Sequence, residues 1–237
     1  MNKTLSKWIF GSLALTTFFL TGCAKNPDPS ANDPLEGYNR AMFAFNQDID
    51  HLTVRPLAKV YNTITPAPLQ KGITNVFDNV DEITTLPNDV LQGNFRYIFV
   101  DVWRFAINTT AGLGGLIDVA TKMGIKPHVE SFGLTIAKWR GGKTSSYFVI
   151  PLLGPSSIQS AIGLAGDYYA SPFPYINNQN INYIYTGARL LHTRAQLLPA
   201  DRLVDNAFDP YVFVRDAYLQ REKEKIAENQ ALPKMPE

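Results

Sequence analysis

The sequence predicts a single all-α domain. Apolar residues recur at three- and four-residue steps, cap-and-proline signals open two separate stretches, and no convincing run of alternating strand residues is found. Gly and Pro, 16 of each in 237 residues, are spread along the chain and break it into short pieces. No fixed period recurs, so a solenoid or repeat array is not expected.

The first element is a leader. Met1 to Lys7 carries two lysines, and Trp8 to Leu20 is a 13-residue stretch without charge. That suits the apolar region of a cleaved secretory signal and is too short to span a bilayer. Leu20-Thr21-Gly22-Cys23 closes it and places the only cysteine at the start of the mature chain. The pattern is that of a lipoprotein signal over 1–22, with Cys23 as the lipidation site. Each buried CH₂ of an acyl chain contributes about 0.8 kcal/mol, so two or three chains hold a protein on a membrane in effect permanently. Residue 24 is Ala rather than Asp, which favours the periplasmic face of an outer membrane. A lone, acylated thiol forms no disulfide, as suits an oxidising compartment.

Residues 23–32 are a lipidated tether of flexible composition. Removal of the leader takes the formal charge from +1 to −1, which leaves no basic excess for nucleic acid. Asp33-Pro34-Leu35-Glu36 then offers an N-cap, a proline at the first helical position and an acid two residues on. The steps of Ile73, Val76, Phe77, Val80 and Ile83 mark one amphipathic helix. Those of Leu91, Phe95, Ile98, Phe99, Val102 and Ala106 mark another after Pro87. Asp209-Pro210 repeats the cap-and-proline device ahead of a helix over 211–221. Arg221 to Glu237 is dense in charge with two prolines, so 222–237 is expected to be a charged flexible tail.

Thr144 to Ala188 is a charge desert of 45 residues with Asp167 as its single ionisable charge, where average composition would place about eight. Such depletion fits a low-dielectric surrounding, in which an unpaired charge costs several kcal/mol. Prolines 151, 155, 172 and 174 break the segment, so it holds no transmembrane helix. Its eight aromatics, five of them between Tyr168 and Tyr183, are a residue type favoured where hydrocarbon meets wet headgroups. A body sunk partway into one leaflet is the reading preferred over the core hairpin of a soluble domain.

Catalytic patterns fail. Gly142-Lys143-Thr144 lacks the first glycine of a phosphate-binding loop, since position 137 is alanine, and Gly112-Leu113-Gly114 lacks the third glycine of a dinucleotide fingerprint. Ser156 is outside a nucleophile elbow. His51, His128 and His192 have no second His or Cys at metal-ligand spacing, and Asp81-Glu82 reads as a solvated helix face. No enzyme activity, cofactor or metal is expected.

Several motifs in fixed order resemble a known family. Asp33-Pro34-Leu35-Glu36-Gly37-Tyr38-Asn39-Arg40 is one. Asn108-Thr109, Gly112, Gly114-Gly115 and Asp118-Val119-Ala120 follow, then Phe132-Gly133 with Thr135, and Gly154-Pro155-Ser156. Arg194-Ala195-Gln196-Leu197-Leu198 and Asp209-Pro210-Tyr211 with Arg215 complete the set. From the lipobox to Arg221 the chain resembles the MlaA (VacJ) lipoproteins. Two departures stand out: Ser145-Ser146-Tyr147 replaces the usual Gly-Pro-Tyr, and Gln159-Ser160 an Arg-Asp pair.

The resemblance implies a ring-like domain of amphipathic helices over 33–221, embedded in the inner leaflet of the outer membrane around a central amphipathic channel. It implies transport that removes mislocalised membrane phospholipids from the outer leaflet and keeps the membrane asymmetric. The partners implied are a trimeric outer-membrane porin and a periplasmic phospholipid carrier protein; a porin-binding scaffold is the alternative. Candidate channel residues are Asn108, Gly112, Gly114, Gly115, Asp118, Tyr147 and Asp167. The glycines fit a flexible channel wall or a tight turn between helices equally well.

Overall fold

The computed structural model describes residues 33–232. Cys23, the leader and the tether lie outside the described residues. Helix α1 (Glu36–Ile49) passes through a π-helical turn (Asp50–Val54) into α2 (Arg55–Ile64). Pro66 turns the chain into α3 (Ala67–Gln92), which packs along α4 (Phe95–Thr110). Short α5 (Val119–Lys122) and α6 (Phe132–Trp139) lead to a hairpin of β1 (Tyr147–Ile150) and β2 (Gly154–Ser157). Then come α7 (Ile158–Ala170), α8 (Gln179–Leu197), α9 (Asp201–Asp205) and α10 (Pro210–Gln230). The architecture is all-α in one domain, with one small sheet.

That sheet departs from expectation. Tyr147 pairs with Ser157 and Ile150 with Gly154 in antiparallel register. Gly-Pro-Ser-Ser carries no strand propensity of its own, so the hairpin is held from outside. Asn39 donates to the Tyr147 carbonyl (3.2 Å) and accepts from the Val149 amide (2.9 Å). Asn46 does the same for the Ile150 carbonyl (2.9 Å) and the Leu152 amide (2.7 Å). Two asparagines of α1 thus complete a ladder that local sequence could not specify.

Three further expectations are corrected. Pro87 does not divide two helices, because α3 runs through it to Gln92 and ends at Gly93 in the left-handed conformation (φ +73°). An interior proline costs about 3 kcal/mol, and here Thr85, Asn88 and Asp89 around it are all buried against other elements. The C-terminal helix continues past Arg221 to Gln230. Arg215, Leu219, Glu222, Ile226 and Asn229, at alternating four- and three-residue steps, bury one face under its charged exterior. Asp33 does not cap α1, whose cap residue Leu35 makes no side-chain bond. Instead Asp33 is fully buried, accepting from Asn39 Nδ2 (2.7 Å) and from the Tyr211 hydroxyl, with Arg215 at 3.7 Å. Asp209 does cap α10, accepting from the Val212 amide at 3.2 Å.

The apolar core is small. Tyr147, Val149, Tyr211 and Leu219 form it, with Met42, Phe43, Val212 and Tyr218 packed against them. It joins α1, β1 and α10, so the two Asp-Pro motifs meet and tie the first described helix to the last.

Candidate functional site

Away from that core the polarity is reversed. On α4 the buried side chains are Asp101, Arg104 and Asn108, at i, i+3 and i+7, while Phe99 and Trp103 are 71% and 63% exposed. Helix α3 likewise buries Asn79, Glu82, Thr85, Asn88 and Asp89. A soluble domain turns the apolar stripe inward. Here more polar than apolar side chains are fully buried among the described residues, and large hydrophobics on nearly every helix face outward. Such a surface calls for a hydrocarbon or protein partner. In the charge desert, Tyr168, Tyr169, Tyr175 and Tyr183 are all exposed.

The polar interior is wired. Arg104 donates to Glu82 (2.6 Å), to Thr121 Oγ1 (3.1 Å) and to the Ile125 carbonyl, with Asp118 at 3.6 Å. Glu82 therefore sits in the interior, contrary to the solvated face expected of Asp81-Glu82. Burial raises its pKa, and Arg104 works against that rise. Asp81 points elsewhere, into a two-pronged ion pair with Arg189 (2.6 Å on both arms) that Tyr185 supports. Fork-to-fork geometry of this kind fixes orientation as well as charge.

Asn108 and Asp118 come together. Asn108 donates to Asp118 Oδ1 (3.2 Å) and accepts from the Ala120 amide (2.9 Å), while Asp118 caps α5 through the Thr121 amide (3.0 Å). Burial would raise the Asp118 pKa, but its bonds to Thr121 outweigh that and hold it low. Between them the glycines form a tight turn. A Cβ on Gly112 would lie 2.2 Å from the Ile117 carbonyl oxygen and 2.4 Å from that of Asn108. Gly115 has φ +92° and abuts Asn79. Of the two readings of this stretch, the local geometry is that of the turn.

The remaining candidates lie apart. Tyr147 is fully buried in the apolar core against Tyr211 and Tyr218. Asp167 accepts from the Phe132 amide (2.8 Å) and Asn88 Nδ2 (3.2 Å), pinning α7 to α3 and to the start of α6. Burial raises its pKa. Ser156 is buried, its hydroxyl donating to the Ser157 carbonyl (3.2 Å), a group that cannot take a nucleophile's proton.

Sequence reasoning missed a second buried group. His128 stacks on Tyr97 (centroids 4.2 Å apart) among Asp89, Asp101 and Glu130. Burial lowers the imidazole pKa, but hydrogen bonds to Asp101 and Glu130 outweigh it and push it up to about 10. His128 and Glu130 also line a cavity of about 570 Å³ between the segment before α6 and the end of α10. A signal was available, for Asp101 and Arg104 are the only charges in the interior of an otherwise apolar, aromatic α4.

Comparison with known proteins decides the family. Residues 31–225 match the model of the MlaA lipoprotein family. The chain belongs to the MlaA lipoprotein family. The intermembrane phospholipid transport system lipoprotein MlaA of Escherichia coli (strain K12) is 34% identical over 218 residues, 89% of this chain and 85% of that one. Its namesake from Haemophilus influenzae is 33% identical over 220 residues, 90% and 88% of the two chains. A Rickettsia felis protein of unassigned function is 35% identical over 207 residues, 85% of this chain and 82% of that one. A solved structure bearing on maintenance of bacterial outer membrane lipid asymmetry superposes with a TM-score of 0.69 and 32% identity, covering 82% of this chain and 98% of its own.

Within this MlaA family chain the ordered motifs have defined work. The first and last Asp-Pro motifs close on each other, since Arg40 reaches Asp209 (2.9 Å) and lies over the Tyr211 ring at 4.4 Å. The Asn108 to Ala120 motif is the turn that carries Asp118 to Arg104. The two departures are accommodated: Gln159 accepts from Arg140 (3.0 Å) and its amide donates to Ser145 Oγ (2.9 Å), while Ser160 donates to Glu222 (3.1 Å). Among the described residues no helix is long and apolar enough to cross a membrane.

Proposed function

We propose that this MlaA family member is a non-catalytic outer-membrane lipoprotein that extracts mislocalised phospholipids from the outer leaflet and passes them to a periplasmic carrier, maintaining lipid asymmetry. One observation carries this reading: the helices bury their polar stripes and expose their apolar ones, as on α4 with Asp101, Arg104 and Asn108 inside and Phe99 and Trp103 outside. A body of that kind is solvated by acyl chains outside and presents polar groups within. Hydrocarbon provides no hydrogen bonds to a phospholipid headgroup, so a polar path lowers the barrier to its passage without any bond being made or broken.

In this proposal the acyl chains on Cys23 deliver and orient the protein at the periplasmic side. The helical ring lies in the inner leaflet around an amphipathic channel, and a trimeric porin supports it laterally. Asn108, Asp118 and the glycine turn shape the polar path, whereas Tyr147 and Asp167 act as braces for the helices around it.

The test is a strain lacking the gene, assayed for phospholipid in the outer leaflet and for detergent resistance. Surface phospholipid rises and resistance falls in the null strain, and the wild-type gene reverses both. A null strain with normal outer-leaflet composition would overturn the transport reading.

A further inference from the structure

We propose that Asp89, His128 and Glu130 form a binding site for one divalent metal ion of the Zn²⁺ type, with Asp101 behind the histidine. The three residues each offer one donor atom, and those atoms all lie within 4.8 Å of one another. They come from α3 and from the segment before α6; Asp101 belongs to α4. A bound ion would therefore tie α3 to the segment before α6 at the polar interior, with α4 joined through the Asp101–His128 contact.

The independent indication is Asp89. Its side chain is fully buried, and neither carboxylate oxygen has a hydrogen-bond partner, although Oδ1 stands 3.7 Å from His128 Nδ1. An unpaired buried carboxylate carries the full cost of its desolvation unless a cation or proton compensates it. Asp101 Oδ1 is likewise buried without a hydrogen-bond partner.

The histidine is arranged as a ligand. Nδ1 stands 3.3 Å from Asp101 Oδ2 and Nε2 3.2 Å from Glu130 Oε1, so an ion bound between Nε2 and Glu130 would take the place of the proton on Nε2 while Nδ1 keeps its bond to Asp101. A carboxylate on the far nitrogen is the usual device for orienting a metal-bound imidazole and raising its basicity. Glu130 is held in the same manner, accepting from Gln92 Nε2 (2.8 Å) at one oxygen and from Asn229 Nδ2 at the other. Tyr97 stacks on the imidazole and fixes its plane.

Charge points the same way. Glu82, Asp89, Asp101 and Glu130 are four buried carboxylates facing one permanent cation, Arg104, already committed to Glu82. A divalent ion between Asp89 and Glu130 would supply compensation that otherwise has to come from bound protons. An imidazole in the donor set disfavours Ca²⁺ and Mg²⁺, which take oxygen, and suits Zn²⁺. The cavity beside His128 and Glu130 gives the ion a way in.

The experiment uses the full-length lipidated protein purified in detergent. Elemental analysis should find about one divalent metal per chain, and X-ray absorption one imidazole nitrogen at about 2.0–2.1 Å. Chelation should lower the melting temperature, and Zn²⁺ alone should restore it. Asp89→Asn and His128→Gln should each weaken Zn²⁺ binding by more than the roughly 10–100-fold that loss of an outer-shell partner costs. The wild-type measurements decide the matter even if a variant fails to fold. Protein free of metal whose melting temperature responds to neither chelator nor Zn²⁺ overturns the proposal in favour of carboxyls sharing protons. Equal restoration by Ca²⁺ overturns the assignment of His128 as a ligand.

Discussion

Arg104→Met tests the polar interior most directly. Arg104 and Glu82 are 2% and 4% exposed, and their 2.6 Å contact is the shortest link between α3 and α4 in that region. Removing one partner of such a pair strands the other charge, at a cost of about 3–5 kcal/mol. For a chain of this size each kcal/mol moves the melting temperature by roughly 2–4 °C, so a fall of about 6–20 °C is expected. Glu82→Leu combined with Arg104→Met removes both charges and should recover more than half of the loss, with the shortfall reflecting the bonds to Thr121 and the Ile125 carbonyl.

The assay is thermal unfolding by circular dichroism in detergent micelles. The pH dependence of the single variant supplies a second check. Burial holds the folded Glu82 pKa above its ordinary 4.5, and the variant loses the lowering effect of Arg104. A raised folded pKa means that this group's stabilisation is present at low pH and lost as pH rises. The deficit of Arg104→Met should thus shrink as pH falls from 8 toward 5. A loss under about 1 kcal/mol, or a double variant as unstable as the sum of the two singles, would refute the buried-pair account.

Three further outcomes are expected. Gly112→Ala should lower stability by about 1–3 kcal/mol, because its Cβ meets backbone oxygens that cannot rotate away, whereas at Gly114 only the φ of +70° resists alanine and the loss should be smaller; chemical denaturation of the two variants compares them. His192 bonds Tyr61 (2.8 Å), Thr74 (2.9 Å) and Gln196 (2.8 Å), and burial lowers its pKa below 6.5. The unfolded chain therefore takes up a proton first as pH falls through that value, so stability should drop there, and His192→Gln should remove that component from melting curves at pH 7.5 and 5.5. Phe99→Asp places a charge on an outward face that is 71% exposed, so its folding in micelles should be unchanged while its retention on membranes after release of the lipid anchor falls; equal retention in fractionation would count against leaflet burial.

Much was legible in the sequence because it depends on local chemistry. The helical periodicity, the Asp209 cap and the motifs that resemble the family all concern neighbours a few residues apart. The apolar stripe of α4 could be read as a stripe, but not its direction. That depends on which face packs against other elements: Asp101, Arg104 and Asn108 are buried and Phe99 is not, the arrangement that the proposed low-dielectric surrounding requires. The helix through Pro87, the hairpin completed by Asn39 and Asn46, and the buried face of α10 beyond Arg221 all follow from contacts between residues distant in the chain.

By itself the sequence determined an all-α chain with the marks of one family, since caps, periodicity and composition act over short distances. Only the tertiary structure decided that Asp33 bonds Tyr211 rather than capping α1, that the glycine stretch is a turn under Asp118, and that three carboxylates converge around His128. Desolvation and pairing are properties of an assembled interior, and no spacing along the chain encodes them.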